Sequence, residues 1–273
     1  MKGGWICRFA VLTSGLLMVV VPLDPPRAGS GKTRFQQNVL SGSNMTGETV
    51  LSRLVQHDEE RAVSLQRYSV DRTYLVKTDS GKLRSEAHVS LSYKAPDTKA
   101  FQVLSENGPA IIRNLVNSLL QLEVEAALAG NTHDNSITPA NYIFTLAGEE
   151  EIDGSPCFVV QAVPKRRDIC LFEGKVWIDE KEFAIVKIAG EPAKSPSFWI
   201  KRASFVRQYQ RIGGNWLPLK DETVAQVRIF GENTLTIYHN NYQIQLRQDV
   251  VPGRSTPSPD PTRPLSFKDL ALQ

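Results

Sequence analysis

Five residues near the N-terminus carry part of a phosphate-binding loop. Gly29 to Thr33 read GSGKT, and the apolar run LLMVVV lies upstream, as a strand would in a nucleotide-binding unit. The complete motif needs a glycine five residues before Gly31, where this chain has Pro26. Proline has no N–H group to direct at a phosphate. The following segment, FQQNVLSGSNMTGE, also lacks helical periodicity, so we do not interpret GSGKT as a nucleotide site.

Other residues of catalytic or metal-binding type are scattered. His57 and Glu60 stand three residues apart in HDEE, a spacing that metal ligands use on helices, but no second cluster complements them. GEEEID at 148–153 is a charged turn, and the nucleophile motif G-x-S-x-G is absent. We therefore predict that the protein is not an enzyme and holds no cofactor or metal ion.

The chain has three cysteines, of which only Cys157 and Cys170 follow the N-terminal apolar segment. They lack the C-x-x-C spacing of redox and zinc sites. An even pair in an exported protein is typical of a disulfide, which would stabilise a loop of this size by about 3 kcal/mol. Two buried thiols are the alternative, and the sequence leaves both open.

The N-terminus has the order of a secretory signal peptide. Lys2 and Arg8 precede an apolar run at 9–23, and prolines and the small residues AGSG follow it. The run is shorter than the roughly 20 residues that a bilayer span needs. We predict a signal peptide at 1–30 and location in the periplasm after cleavage, with a retained anchor helix as the alternative.

Composition limits the remaining possibilities. The net charge of the 273 residues is +3, and no basic stripe supports nucleic-acid binding. The C-terminal segment VVPGRSTPSPDPTRPLSF is dense in proline and serine, a composition typical of disorder. We expect one folded domain at 31–249 and a proline-rich disordered tail at 250–273.

Two segments have helical spacing. TGETVLSRLVQHDEER begins with Thr46 as a candidate N-cap, and its apolar residues form one stripe. The second, PAIIRNLVNSLLQLEVEAALAG, opens at Pro109, ends at Gly130 and is apolar over a broad face with few charges. This second helix must therefore cover an apolar surface.

The rest of the chain alternates with the period of β-strands. Between residues 64 and 107 the pattern predicts three strands, with a turn at DSGK. From Asn141 onward it predicts an unbroken series of hairpins, with turns at Asp153-Gly154, Glu180-Lys181, Gly213-Gly214 and Gly231–Asn233. The expected fold is α+β and mainly β: a large curved antiparallel sheet whose concave face is covered by two principal helices.

The second half of the chain resembles a known superfamily. The segments FTLAGEEEIDGSPCFVVQAVPKRR, FEGKVWIDEKEFAIVKIAGEP and QRIGGNWLPLKDETVAQVRIFGENTLTIYHNNYQI are similar to the periplasmic lipoprotein-sorting carriers, the LolA/LolB-like proteins, over residues 141–244. The resemblance implies an open half-barrel whose concave side binds acyl chains. It also implies an arginine in the cavity, for which Arg67, Arg72 and Arg207 are candidates that the sequence does not separate. The long apolar second helix departs from the family pattern.

We expect acyl chains to bind in an apolar cavity between the helices and the sheet. Each buried CH₂ group would contribute about 0.8 kcal/mol. Any one of the candidate residues is also compatible with an ordinary packed core. The candidates are Leu51, Leu54, Val55, Ile112, Leu115, Val116, Leu119 and Leu122 on the helices, and Phe144, Phe158, Val160, Val176, Ile178, Phe205 and Phe230 on the sheet, with Trp177, Trp199 and Trp216 at the rim or in the core.

Three functional hypotheses follow. The first is a periplasmic carrier that binds lipid or lipoprotein acyl chains and transfers them toward the outer membrane. The second is a lipid-sensing regulatory or scaffold protein that contacts a membrane-protein partner. The third is an enzyme on the same fold, which would require His88, His239 and an acidic residue to meet in one cleft.

Overall fold

The structure, a computed structural model, describes residues 45–128, 136–195, 197–228 and 231–247. The predicted signal peptide and tail, and Phe230 among the candidate residues, lie outside these ranges. No helix within the described ranges is long and apolar enough to span a membrane.

Both predicted helices are present. Helix α1 spans Gly47–Ser64, and its N-cap is Thr46, whose hydroxyl accepts a hydrogen bond of 3.2 Å from the backbone N–H of Thr49. This bond satisfies one of the free N–H groups in the first turn. Helix α2 spans Ala110–Leu128 and follows Pro109, as the sequence predicts.

Ten strands form the remainder of the described fold. Their bounds are β1 Leu65–Thr78, β2 Leu83–Lys94, β3 Thr98–Asn107, β4 Tyr142–Ile152, β5 Ser155–Pro164, β6 Phe172–Asp179, β7 Ile185–Pro192, β8 Ile200–Ile212, β9 Asn215–Val227 and β10 Gly231–Leu246.

The strands form one antiparallel sheet in the order β3-β2-β1-β10-β9-β8-β7-β6-β5-β4. Every neighbouring pair is a chain neighbour except β1 and β10, which join the two ends of the strand series. Strands β3 and β4 are the two edges, so the sheet is open and not closed into a barrel. The predicted fold class, an open antiparallel sheet with two principal helices, is confirmed.

One row of paired residues shows that both helices cover the same face. The pairing crosses the sheet from β2 to β5, and the residues of this row define what we call the inner face. They are Ala87, Tyr74, Ile237, Asp221, Arg207, Ile188, Val176 and Val160. Residues of α1 pack at one end of the row and residues of α2 pack at the other.

The two helices cover opposite halves of this face. Val50, Leu51 and Leu54 of α1 belong to a buried cluster with inner-face residues of β5–β8. Val116 and Leu120 of α2 belong to a second cluster with residues of β1, β2 and β10. The apolar core on the inner face is therefore divided between the two helices.

Local backbone chemistry explains several connections. Asp153 and Gly154 both have positive φ, 50° and 80°, as a two-residue hairpin turn requires, and Gly213 and Gly214 have φ of 55° and 84°. The turn predicted at Gly231–Asn233 is wrong. Gly231 pairs with Val227, and the next two residues also pair with β9, so these three residues belong to β10.

Candidate functional site

The structure brings half of the predicted site residues together. They form one cluster of α1 and sheet side chains, in which Phe144 is partly buried and the others are buried. Its members from the predicted set are Leu51, Leu54, Phe144, Phe158, Val160, Val176, Ile178 and Phe205. Phe205 contacts Phe172 edge-to-face, with ring centroids 5.6 Å apart. These side chains pack directly against one another beneath α1.

The predicted residues of α2 lie elsewhere. Val116 and Leu119 are buried, and Val116 belongs to the cluster over β1, β2 and β10. Ile112 and Leu122 are partly buried, as is Val55 of α1. Leu115 is 46 % exposed and points away from the sheet core. The helices therefore contribute to two separate apolar regions.

A strip of half-buried side chains lies between these regions. Thr223 and Ala225 on β9, and Leu235 on β10, occupy the inner face but are less buried than the flanking cores. Thr223 pairs with both Phe205 and Leu235, which links the strip to each helix-covered cluster. We call these three residues the central strip. They are small or apolar, as contact with a hydrocarbon requires.

The central strip ends at a group of buried charges. Glu123 projects from α2, and its Oε2 accepts a hydrogen bond of 2.6 Å from Arg72 Nη1. Glu123 Oε1 accepts bonds of 3.1 Å from Arg72 Nη2 and 2.9 Å from Lys99 Nζ. All three side chains are at most 6 % exposed. One carboxylate on α2 thus binds cations on β1 and β3.

A second buried group lies beside the first. Asp221 on β9 accepts from Arg207 Nε on β8, and its Oδ2 lies 2.9 Å from His239 Nε2 on β10. His239 pairs with Arg72 across β1 and β10, so the two groups are adjacent. We call the six residues Arg72, Lys99, Glu123, Arg207, Asp221 and His239 the central ion cluster.

Electrostatics fixes the ionisation of this cluster. Burial would raise the pKa of Glu123, but the charges of Arg72 and Lys99 outweigh it and hold that pKa far below its usual range. The pKa of Asp221 is likewise lowered, because Arg207 and His239 overcome the effect of burial. Burial and the nearby charge of Arg72 lower the pKa of His239. At neutral pH the carboxylates are therefore charged and His239 is neutral.

The histidines do not assemble as an enzyme would require. His88 pairs with Thr73 of β1, and His239 pairs with Arg72, which directly precedes Thr73 in β1. Successive strand residues point to opposite faces, so the two histidines lie on opposite sides of the sheet. His88 contacts Glu86 at 3.0 Å on the outer face. The cleft required by the third hypothesis is therefore not formed.

Of the two alternatives that the sequence left open, a disulfide between Cys157 and Cys170 is not formed, because Cys157 is a free, fully buried thiol. Cys157 pairs with Asp179, the last residue of β6, whereas Cys170 lies just before the first residue of that strand. The eight residues of β6 span about 25 Å, and a disulfide needs Cα atoms within about 7 Å. Burial raises the pKa of Cys157 to about 11.

The three tryptophans, which the sequence placed at the rim or in the core, do not line the inner face. Trp177 belongs to an outer-face cluster with Cys157, and its indole N–H donates to Glu150 at 2.7 Å. Trp216 packs against the same cluster and donates to Glu182 at 2.7 Å. Trp199 is 53 % exposed in the connection between β7 and β8.

Sequence reasoning missed half of the central ion cluster, namely Lys99, Glu123 and Asp221. Arg72 and Arg207 were among the candidate arginines, whereas Arg67 is exposed. Glu123 lies on the apolar stripe of α2, four residues after Leu119, and Asp221 and His239 occupy inward positions of alternating strands. The signal that identifies such a group is a charged residue at a position where the periodicity of a helix or strand predicts an apolar one.

Comparison of the sequence with known families gives one match. A family model described as that of an uncharacterized protein matches residues 131–251, which is less than half of the chain. No curated protein matches the sequence.

Several solved structures are similar in fold at low identity. A DUF1329 family protein from Desulfovibrio piger is 12 % identical, with a TM-score of 0.38 over 72 % of this chain and 92 % of that one. A LolA superfamily protein from Nitrosomonas europaea is 10 % identical, with a TM-score of 0.34 over 74 % and 94 %. A domain described as an outer membrane lipoprotein-sorting protein, from Vibrio parahaemolyticus, is 10 % identical, with a TM-score of 0.36 over 72 % and 93 %. The descriptions of two of these structures name the LolA-like group that the sequence resembles, at TM-scores below 0.5.

Proposed function

We propose that the protein is an exported carrier that binds a lipid or lipoprotein acyl chain along the central strip, between α1 and α2. In this proposal it moves the chain through the periplasm toward the outer membrane. The N-terminal sequence at 1–30, with its charged, apolar and small-residue regions, supports export.

The central strip is the observation that carries this proposal. Thr223, Ala225 and Leu235 are half-buried on the helix-covered face of an open sheet, between two apolar cores. A hydrocarbon chain lying on the strip would contact Phe205 on one side and the α2 cluster on the other. It would therefore be removed from water along most of its length.

The energetics favour a chain of ordinary lipid length. Burial of about ten CH₂ groups contributes roughly 8 kcal/mol, which offsets much of the cost of removing an acyl chain from a membrane. Methylene groups form no directional bonds, so the strip selects for apolar shape and not for one lipid. Such weak selectivity suits a carrier.

The experiment compares two leucine substitutions. The purified protein, stripped of lipid, is titrated with a fluorescent fatty acid, and the dissociation constant is measured for Leu235→Gln and Leu104→Gln. Leu235 lies on the central strip, and Leu104 is 57 % exposed on the edge strand β3. Leu235→Gln places an amide against the chain, so we expect affinity to fall about tenfold, at a cost of roughly 1–3 kcal/mol.

Leu104→Gln is the matched control and should bind like the unsubstituted protein. Absence of saturable fatty-acid binding by the unsubstituted protein would contradict the carrier proposal. Equal loss of affinity in the two variants would place the acyl chain somewhere other than the central strip.

One observation favours the alternative, a lipid-sensing regulatory or scaffold protein. Helix α2 exposes Ile111 by 70 % and Leu115 by 46 %, one helical turn apart on the same side. Exposed apolar residues grouped in this way are typical of protein contacts. A photo-crosslinker at Leu115, in cells that produce the protein, separates the two functions. A regulator should capture one membrane protein, and a carrier should capture many lipoproteins.

A further inference from the structure

Two large aromatic side chains are exposed to water at one end of the sheet. Phe198 is 74 % exposed and Trp199 is 53 % exposed, in the connection between β7 and β8. Their rings contact each other edge-to-face, with centroids 5.7 Å apart. The indole N–H of Trp199 has no hydrogen-bond partner within the described ranges, whereas those of Trp177 and Trp216 donate to carboxylates. Neighbouring aromatic residues left in water in this way are typical of a contact surface.

Hydrogen bonds fix the backbone that carries this pair. The Ser197 hydroxyl accepts from the backbone N–H of Trp199 at 3.2 Å, and the Ile200 N–H donates to the Ser197 carbonyl at 3.1 Å. Arg228, which directly follows β9, donates from its backbone N–H to the Trp199 carbonyl at 2.9 Å. Its Nε donates to the Phe198 carbonyl at 2.8 Å. The aromatic side chains are therefore presented on an ordered backbone, which lowers the entropy cost of binding.

Three connections lie side by side at this end. Because the strands are antiparallel, the connections that follow β5, β7 and β9 leave the sheet at the same end. The backbone N–H of Ala193 donates to the Leu171 carbonyl at 2.8 Å, which joins the second connection to the first, and Arg228 joins the third to the second. We call their described residues, 165–171, 193–195, 197–199 and 228, the aromatic end.

Exposed cations surround the aromatic pair. Within the aromatic end, Arg166 and Asp168 lie 3.7 Å apart as an ion pair and add no net charge. The nearest exposed carboxylates on the adjoining strands are Glu191 of β7 and Glu232 of β10. The other charged residues of the aromatic end are all basic, as are two positions at the start of β8. They are Lys165, Arg167, Lys194, Arg228, Lys201 and Arg202. Basic residues are therefore in excess around Phe198 and Trp199.

The opposite end of the sheet has the opposite charge. Its connections follow β2, β4, β6 and β8, and Glu182 among them forms an ion pair with Arg211. The remaining charged residues of these connections are Asp97, Asp153, Glu180 and Lys181. A difference in charge between the two ends orients a molecule in an electric field. Near a negatively charged surface, the protein would approach with the aromatic end first.

We propose that the aromatic end docks the protein on an anionic lipid bilayer, with Phe198 and Trp199 among the headgroups and the surrounding cations against lipid phosphates. Tryptophan suits the membrane–water interface, because its ring is apolar and its N–H can bond to a headgroup. Each lysine or arginine near an anionic surface strengthens binding by about fivefold. Aromatic insertion and basic charge together favour a bilayer over a neutral partner.

The aromatic end also lies where the central strip meets the end of the sheet. Thr223, Ala225 and Val227 are alternate residues of β9 and share the inner face, and Val227 directly precedes Arg228. A docked protein would therefore turn this end of the strip toward the bilayer. This relation to an acyl chain rests on the proposed function, whereas the docking surface itself does not.

The first experiment measures binding to vesicles. The exported protein, in the form left after cleavage of the predicted signal peptide, is sedimented with vesicles of phosphatidylcholine alone or mixed with phosphatidylglycerol. We expect binding to the mixed vesicles to be about tenfold tighter or more, and to weaken in high salt. Equal binding to the two compositions would overturn the proposal. Binding to neither would also overturn it and assign the aromatic end to a protein partner.

Matched variants test the two components of the surface. Trp199→Ser should lower affinity for mixed vesicles about tenfold, because the indole no longer leaves water. Val63→Ser is its control, since Val63 is also 53 % exposed but lies at the end of α1, beside the start of β1 at the opposite end of the sheet. Lys194→Glu should lower affinity severalfold, and Lys181→Glu, at the opposite end, should not. Equal effects within either pair would overturn the proposed surface.

A parallel titration with a fluorescent fatty acid separates this inference from the proposed function. Trp199→Ser should lose vesicle affinity and keep its affinity for the fatty acid. A protein that binds the fatty acid but neither type of vesicle would overturn the docking surface and leave acyl-chain carriage intact. A protein that binds mixed vesicles through Trp199 but no fatty acid would overturn the carrier proposal and support the docking surface.

Discussion

Arg72 on β1 and Glu123 on α2 form a doubly hydrogen-bonded ion pair in which each side chain is only 1 % exposed. The pair joins the second helix to β1, one of the strands that the apolar contacts of that helix also cover. Since a buried charge is costly without its partner, this contact fixes the position of α2 more strongly than any exposed pair does.

Removal of the Glu123 carboxylate should destabilise the fold. Glu123→Ala leaves Arg72 and Lys99 buried without their common partner, so we expect the free energy of unfolding to fall by about 3–5 kcal/mol. Urea denaturation measures the change. Glu106→Ala, which breaks the exposed contact with Arg113, should cost about 1 kcal/mol or less. Equal losses would show that the buried pair does not anchor the helix.

The neutral state of His239 predicts a pH dependence of stability. Burial and Arg72 lower its pKa in the folded protein, whereas the unfolded chain takes up a proton near pH 6.5. Between the folded pKa and about pH 6.5 the unfolded state binds more protons, so stability decreases as pH falls, by at most about 1.4 kcal/mol per pH unit.

His239→Gln should remove this part of the slope, because the amide still donates to Asp221 but does not titrate. Denaturation curves at about pH 5 to 7, a range that includes the ordinary histidine pKa, measure this slope. His88→Gln removes a half-exposed histidine on the outer face and serves as the control. A slope that persists in His239→Gln would rule out His239 as its source.

Close packing of two strands depends on Gly174. A Cβ atom there would lie 2.1 Å from the backbone oxygen of Ala189 and 2.6 Å from Cα of Gly190 on β7. Gly174→Ala should therefore force β6 and β7 apart and lower the melting temperature, at a cost of about 1–3 kcal/mol. Lys175→Ala, at the next and exposed position, should change stability by about 0.5 kcal/mol or less.

The buried thiol of Cys157 should be chemically protected. The residue is fully buried and its pKa is raised to about 11, so little reactive thiolate exists at neutral pH. Alkylation followed by peptide mapping should label Cys157 only after unfolding in denaturant. Rapid labelling of Cys157 in the native protein would contradict its placement beneath Trp177.

Local patterns were enough to predict most of the architecture. The alternation between residues 64 and 107 predicted β1, in which Tyr68, Val70 and Arg72 share the buried face, and Asp153-Gly154 predicted a turn that the positive φ angles confirm. Helix α1 begins where its N-cap residue predicts. These features depend on neighbours in sequence, which is why composition and spacing reveal them.

Features that depend on distant residues were not predictable. The register that separates Cys157 from Cys170 is set by pairing between β5 and β6, and the spacing of the two cysteines contains no information about it. Glu123 meets Arg72 across 51 positions, so its role is visible only once α2 lies on the sheet. The apolar candidates were predicted as one cavity lining, but α1 and α2 pack over different halves of the face.

The central claim, that an acyl chain lies on the central strip, is tested most directly by photo-crosslinking. A hexadecanoate that carries a diazirine near the end of its chain is bound to the protein, activated, and located by peptide mass spectrometry. We predict labels on β9 and β10 around Thr223, Ala225 and Leu235, with competition by unlabelled hexadecanoate. Labels confined to exposed residues such as Phe198 and Ile111, which are 74 % and 70 % exposed, would contradict the account.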